Sequence, residues 1–240
     1  MKQPPSKTNL ESALADRFGS AAKLREKVPH EPAIIGIEEV DSVTGGLPRG
    51  AISEFVGPPS SGRTSLLLAT LAAATKRGEA CALVDLNDAF DAVSGAEAGI
   101  DLDRLLWVRC EGNGEHALKA TDLLLQGGGF GLVAFDLGDI APRDARRIQL
   151  SWWFRFRREL ENKPTAMLVI AQESCARSNA SLVLQLSRED ASWSTPAGTN
   201  AGQPIPLSSN LLRGFQLRIE RNKPIKAGSR RVRIRTLTML

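Results

Sequence analysis

Apolar positions along this chain fall into short runs separated by polar, glycine-bearing stretches. ISEFV at 52–56, CALVD at 81–85, LLWVR at 105–109, LVAFD at 132–136 and AMLVIA at 166–171 are too short and too uniformly apolar for surface helices, and they read as strands. Between them lie stretches of helical spacing at 63–76, around 90–98, at 115–126 and at 142–161. Strand and helix in alternation predict an α/β core whose mostly parallel sheet is flanked by helices. After residue 172 the pattern changes. Strands predicted at 181–187, 214–221 and 231–236 look antiparallel and the last two carry the arginines, so antiparallel basic strands are expected at the C-terminus. Residues 188–210, rich in Gly, Pro, Ser, Thr and Asn, predict a long flexible hairpin loop between two of them. Upstream, Leu10, Ala13, Leu14, Phe18 and Leu24 recur at helical spacing behind Asn9, and Pro29 and Pro32 end the helix. The expected organisation is a helical arm and linker over 1–33 and an α/β core over 34–240, with the basic strands within 212–240.

Composition narrows the function classes. At 42% apolar and 24% charged residues the 240-residue chain is an ordinary globular one, which excludes wholesale disorder. No apolar run approaches the roughly 18 residues of a membrane span, and the N-terminal stretch has no secretory h-region. Cys81, Cys110 and Cys175 are far apart, without a C-x-x-C and with only His30 and His116 beside them, so neither a zinc site nor a disulfide framework is expected. Buried structural thiols in a reducing cytoplasm fit this usage. Net charge is only +4, but from Arg213 to Arg235 nine Lys/Arg stand against one acid, Glu220. Arg218, Arg221, Arg231, Arg233 and Arg235 are therefore candidates for contact with DNA or an acidic partner. Strand alternation puts Arg231, Arg233 and Arg235 on one face, about 7 Å apart, near a single strand's phosphate repeat. The alternative is a solvated edge guarded by charge. Helix 142–161 interleaves six arginines with Trp152, Trp153, Phe154 and Phe156. Its aromatics either pack on the sheet or leave Trp153 or Phe154 at an interface.

Chemistry concentrates in GPPSSGRTS, residues 57–65, which joins a buried strand to a helix. A glycine-rich turn there aims backbone N–H groups at one anion, reinforced by the helix dipole. Gly57, Ser60, Ser61, Gly62, Arg63, Thr64 and Ser65 form a candidate phosphate loop, with Thr64 placed to ligate Mg²⁺. Asp136, ending another apolar strand, is the candidate second magnesium residue, held through water.

GGLPRGAISEFVGPPSSGRTSLLLATLAAATKRGEACALVDLNDAFD, followed by GIDLDRLLWVR and GLVAFD, resembles the RecA core over roughly residues 35–172. The resemblance implies ATP and Mg²⁺ as cofactors, and Gln172 as the strand-end glutamine that precedes a DNA-binding loop. The family's loop lysine is Arg63 here, a larger planar cation that does not fill the same pocket. The family's catalytic glutamate is matched by Asn87, which orients water but takes no proton; Asp88 and Asp91 are the nearest substitutes. Losing clamp and base together implies turnover lower by several powers of ten. Both DNA-binding loops are curtailed: residues 136–142 run almost directly into a helix, and only residues 173–180 follow Gln172 before the next strand.

The stretch ARRIQLSWWFRFRRELENKPTAMLVIAQES, then SLVLQLS and FQLRIERNKPIKAGSRRVRIRTL, is similar to the ImuA branch of RecA-like proteins. That resemblance implies an accessory role in SOS mutagenesis and translesion synthesis, in the bacterial cytoplasm and at the nucleoid when active. RecA, an inactive Y-family-like polymerase subunit and an error-prone polymerase are the partners it implies. The arm at 9–27 is placed like the RecA element that docks on a neighbouring copy, which implies a homo-oligomer. The alternative is a DNA-dependent ATPase or recombinase of the RecA type that binds single-stranded DNA and tolerates Arg63.

Overall fold

A computed structural model describes residues 30–138, 140–193, 212–223 and 229–235. The expected arm over 9–27 and most of the expected loop over 188–210 lie outside them. In chain order the elements are α1 (Glu38–Thr44), β1 (Ile52–Val56), α2 (Arg63–Lys76), β2 (Cys81–Asp85), α3 (Ala92–Glu97), β3 (Leu105–Arg109), α4 (Gly114–Gly127) and β4 (Leu132–Asp136). There follow α5 (Pro142–Ala145), α6 (Leu150–Leu160), β5 (Ala166–Ala171), β6 (Ala180–Trp193), β7 (Leu212–Lys223) and β8 (Ser229–Arg235). All eight strands form one sheet in the order β3-β2-β4-β5-β1-β6-β7-β8.

Pairing is parallel from β3 through β1 to β6 and antiparallel from β6 to β7 and β8. This is the α/β class that the alternation predicts. Strands β1, β2 and β5 are buried along their whole length because helices cover both faces, which is why their sequences are apolar without alternation. Phe55, Leu66, Leu71, Leu83 and Leu168 form the core on the α2 side. Ile52, Val56, Phe135, Trp153, Phe156 and Met167 form the core on the side of α4 and α6. Parallel strands place all their C-terminal ends on one rim, so the loops after β1, β2, β4 and β5 meet there.

Two elements differ from the sequence expectation. The single helix expected at 142–161 is two, because the chain tightens through i→i+3 contacts (Arg147 N–H to Asp144 O, Ile148 N–H to Ala145 O) and Gln149 is extended. Residues 188–193, expected as loop, continue β6: Asp190 pairs with Gln216 and Trp193 with Leu212. A ladder is made by backbone groups, and a polar composition does not prevent it. Within α6, Trp153 and Phe156 are fully buried and Phe154 is 52% exposed, so one aromatic of the four stands in solvent. All three cysteines are buried free thiols, as expected. Burial pushes the Cys81 thiol up to about 12 and raises those of Cys110 and Cys175, which removes them from thiolate chemistry.

Candidate functional site

The phosphate loop leaves β1 in a fixed path. Gly57 N–H reaches the carbonyls of Ala171 and Gln172 at 3.3 and 3.1 Å, tying the loop to the end of β5. A side chain is not tolerated at Gly57: a Cβ there would lie 2.4 Å from Leu186 O and 2.6 Å from Ser61 Oγ. Ser60 takes the left-handed region (φ 61°), Ser61 is buried and Ser65 half-buried, and Gly62 immediately precedes α2. The first N–H groups of α2 have no carbonyl one turn earlier, so the cradle for an oxyanion is present. Thr64 is exposed at the start of that helix. Ser61 Oγ is buried without a hydrogen-bond partner among the described residues. This end of the loop fits a phosphate and a magnesium ligand.

The next position does not follow the family pattern. Arg63 is 7% exposed, and its Nη1 donates to the carbonyl of Gly138 at 3.1 Å. Gly138 lies in the turn after β4, two residues beyond Asp136, whose Oδ1 accepts the Gly138 N–H at 2.7 Å. Gly138 has φ 56°, and a Cβ on it would stand 2.7 Å from Asn87 Nδ2. Arg63, Asp136, Gly138 and Asn87 therefore converge on the rim shared by β1, β2 and β4. The guanidinium spends itself on the chain's own carbonyl where the family's lysine would fold over the terminal phosphates. Residues that fit the magnesium–phosphate end of a nucleotide are thus combined with a clamp turned inward.

The acids around Asn87 are Asp85, Asp88 and Asp91, and each makes contacts of its own. Asp85 is buried and accepts N–H bonds from Ala89 and Phe90 and, at 3.2 Å, from Trp107 Nε1. Asp88 pairs with Arg109 at 3.0 Å. Asp91 caps α3 through Ser94, whose hydrogen bonds hold its carboxyl below the usual range. Each nearby acid has a structural task.

Glu54, at the centre of β1, is fully buried and was no candidate on sequence grounds. Its carboxylate accepts the N–H groups of Cys175 and Ala176 at 2.8 and 2.9 Å and the Ser174 hydroxyl at 2.5 Å. The loop after Gln172 is thereby fastened to the strand that carries the phosphate loop. The signal was legible: an acid inside a five-residue apolar strand needs partners wherever it is buried. Arg49 was missed as well. It donates to the carbonyls of Glu31, Gly131 and Pro164 and to Glu79, joining four segments beneath the sheet.

The basic candidates lie elsewhere. Arg218 on β7 pairs with Glu189 at 2.7 Å, and Arg221 donates to Val43 O at 3.4 Å. Arg231, Arg233 and Arg235 belong to the edge strand β8, where Arg231 stands opposite Arg218 in register, Arg233 opposite Gln216 and Arg235 opposite Gly214. Among the described residues no helix is long and apolar enough to cross a membrane.

Comparison with known proteins agrees with this geometry. The RecA protein of Methylobacterium sp. (strain 4-46) is 38% identical over 128 residues, 53% of this chain and 35% of that protein. The RecA protein of Rhizobium leguminosarum bv. trifolii (strain WSM2304) is 44% identical over 100 residues, 41% of this chain and 27% of that protein. The chain thus spans about a third or less of the length of these relatives. A crystal structure of the RadB recombinase superposes with a TM-score of 0.58 at 16% identity, covering 85% of this chain and 95% of that one, which shows a shared fold. The family model described as the RecA N-terminal domain matches residues 21–145, more than half of the chain, from before β1 through the phosphate loop and Asp136 to the end of α5, and the chain belongs to that family.

Proposed function

We propose that this protein is a RecA-family accessory factor in DNA damage repair, acting through protein and DNA contacts in mutagenic, translesion synthesis with a nucleotide site that no longer turns over. The observation that carries this reading is the bond from Arg63 to Gly138 O, made across the space where clamp and base would act. With Asn87 as the only side chain at the base position, a water has a group to orient it and none to take its proton. The magnesium end persists: Thr64 and Asp136 would hold Mg²⁺, and the N–H groups of residues 62–65 would hold phosphate. ATP bound this way supplies a structural anion. The loop after Gln172, pinned by Glu54, and the short turn after Asp136, engaged by Arg63, leave little chain to grip a single strand as a recombinase does. The similarity to the ImuA branch supports RecA, a Y-family-like polymerase subunit and an error-prone polymerase as partners, with the edge strand β8 and its arginines as a contact surface.

The test is ATP turnover with and without single-stranded DNA, beside equilibrium binding of a fluorescent ATP analogue with Mg²⁺ varied. The expected result is no DNA-stimulated hydrolysis by the natural chain. Stimulated hydrolysis that disappears in Asp136→Ala would establish the second reading, a DNA-dependent RecA-type ATPase, which the placement of Thr64 and Asp136 favours. Absence of analogue binding up to millimolar would remove nucleotide from the reading and leave the partner contacts.

A further inference from the structure

At the opposite rim, where β1, β5 and β6 begin, the chain forms an open-sided cavity of about 430 Å³ lined by His30, Arg157, Glu161, Lys163, Asn179 and Lys223 among others. Its cations are unequally committed. Lys163 Nζ donates to the carbonyls of Leu125 and Gln126, and Lys223 Nζ to Ser178 O at 3.0 Å with two N–H groups left over. Arg157 is exposed and makes no ion pair among the described residues. Asn179 is 2% exposed, and while its Nδ2 reaches Ala176 O at 3.3 Å, its Oδ1 has no partner among the described residues. His30 Nε2 is likewise buried and unpartnered. A buried acceptor without a donor costs on the order of 1–3 kcal/mol, so its place in the lining of a polar cavity points to a donor brought from outside.

A second observation adjoins this one. Phe154 lies one turn before Arg157 on α6 and is 52% exposed, although Trp153 and Phe156 beside it are fully buried. The next residue, Arg155, is bonded to Asp122 of α4 at 2.6 Å, and the chain neighbour of Asp122 is Leu123, 67% exposed. Residues three apart on a helix share a face, so Phe154 and Arg157 form one surface that leads into the cavity. It presents, in order, an apolar anchor, an uncommitted guanidinium, an ammonium with spare donors and a buried amide acceptor.

We propose that this surface docks an acidic peptide segment of a protein partner, with an apolar residue on Phe154, carboxylates on Arg157 and Lys223, and a backbone N–H on Asn179 Oδ1. Charge complementarity selects acid in the partner. The unpartnered acceptor selects peptide over a nucleic-acid backbone, since a phosphodiester offers acceptors and no donor. A concave seat beside one exposed aromatic suits a short linear segment better than a flat protein face. The site is remote from the phosphate loop, so it stands or falls independently of the nucleotide reading.

The experiment is fluorescence anisotropy of the full chain with a labelled dodecapeptide repeating Leu-Asp-Asp, a twin carrying Lys for Asp, and labelled oligothymidylate. Expected is binding of the acidic peptide at least tenfold tighter than of the twin, weakened about tenfold by Arg157→Glu and about fivefold by Phe154→Ala. Both residues are exposed, so the variants fold; Arg157→Lys is expected to keep most of the affinity. Replacing Arg143 and Arg147, exposed cations in the segment after β4, together by alanine removes the same two units of charge as Arg157→Glu and is expected to change nothing. If that double variant weakens the peptide as much as Arg157→Glu does, binding follows net charge and the assignment fails. No peptide binding by the full chain, or displacement of the peptide by oligothymidylate at equal concentration, also overturns it.

Discussion

The two rims of the parallel sheet use their charged groups in opposite ways. The loop after β5, which leaves the C-terminal rim, is held by Glu54 at the centre of β1, which accepts two N–H groups, a hydroxyl and the Cys175 thiol, and at that rim Arg63 reaches Gly138 O. At the N-terminal ends, Arg157, Lys223 and Asn179 leave bonding capacity directed at a cavity. RecA-type architecture binds ligands where strands end, because loops and helix N-termini gather there. Here that rim is tied together by the chain's own side chains. The proposed docking surface lies at the other rim, where bonding capacity is left open. Charged groups that complete one another internally hold a shape, and groups left incomplete hold a partner.

The sharpest way to break this contrast is at Glu54. Replacing it with alanine strands two backbone N–H groups and a hydroxyl beneath the sheet, and a loss of about 3 kcal/mol is expected in denaturant unfolding. Glu54→Gln, which keeps one acceptor oxygen, is expected to lose less. If alanine costs under about 0.5 kcal/mol, the loop after Gln172 is not fastened by this carboxylate, and a gripping loop becomes available again at the rim.

Arg49 makes a smaller but more informative case. Arg49→Ala removes donors from three backbone carbonyls and is expected to cost about 2 kcal/mol. Its partner Glu79 adds a pH signature. Burial alone would raise the Glu79 carboxyl, but its hydrogen bonds and charge contacts with Arg49 and Arg77 hold it below 4.5. A depressed carboxylate contributes stability that is present above its ordinary range and lost as pH falls through the lowered value. Unfolding followed from pH 6 downward is expected to show this loss in the natural chain, and Glu79→Gln is expected to remove that part of the slope. An unchanged acid limb would mean that Glu79 titrates alike in the folded and unfolded chain.

Much of the rim was legible in the sequence, and the reasons for the remainder are physical. Uniformly apolar runs marked β1, β2, β4 and β5, because a strand covered on both faces has no polar side to show. Gly57, Gly62 and Thr64 stand where a glycine-rich loop between strand and helix requires them. The break at 146–149 left no trace, since arginine and isoleucine are compatible with helix; Arg146 instead reaches forward to Glu173, a contact fixed by the tertiary fold. The extension of β6 through 188–193 was hidden because backbone pairing with β7 carries it. The cavity was the least legible feature, assembled from residues as distant as His30 and Lys223 that no local pattern connects. Arg63 was legible as a departure, but the partner it takes was not.

The smallest expected effect is the most direct test of the rim. Arg63→Ala deletes the bond to Gly138 O and is expected to cost about 1 kcal/mol or more, since the bonded carbonyl lies near solvent. Arg63→Lys removes the planar fork while keeping the charge, so its stability is expected to fall by a similar amount. The two variants part in nucleotide binding. Lysine is a compact cation able to fold over the terminal phosphates, and a fluorescent ATP analogue is expected to bind it about tenfold tighter than the natural chain. Alanine opens the same space without a charge to offer and is expected to give no gain. Neither variant is expected to hydrolyse ATP, because Asn87 still cannot take a proton. Equal analogue affinity in all three chains would show that the inward-turned guanidinium does not govern the site, and the contrast between the rims would then rest on Glu54 alone.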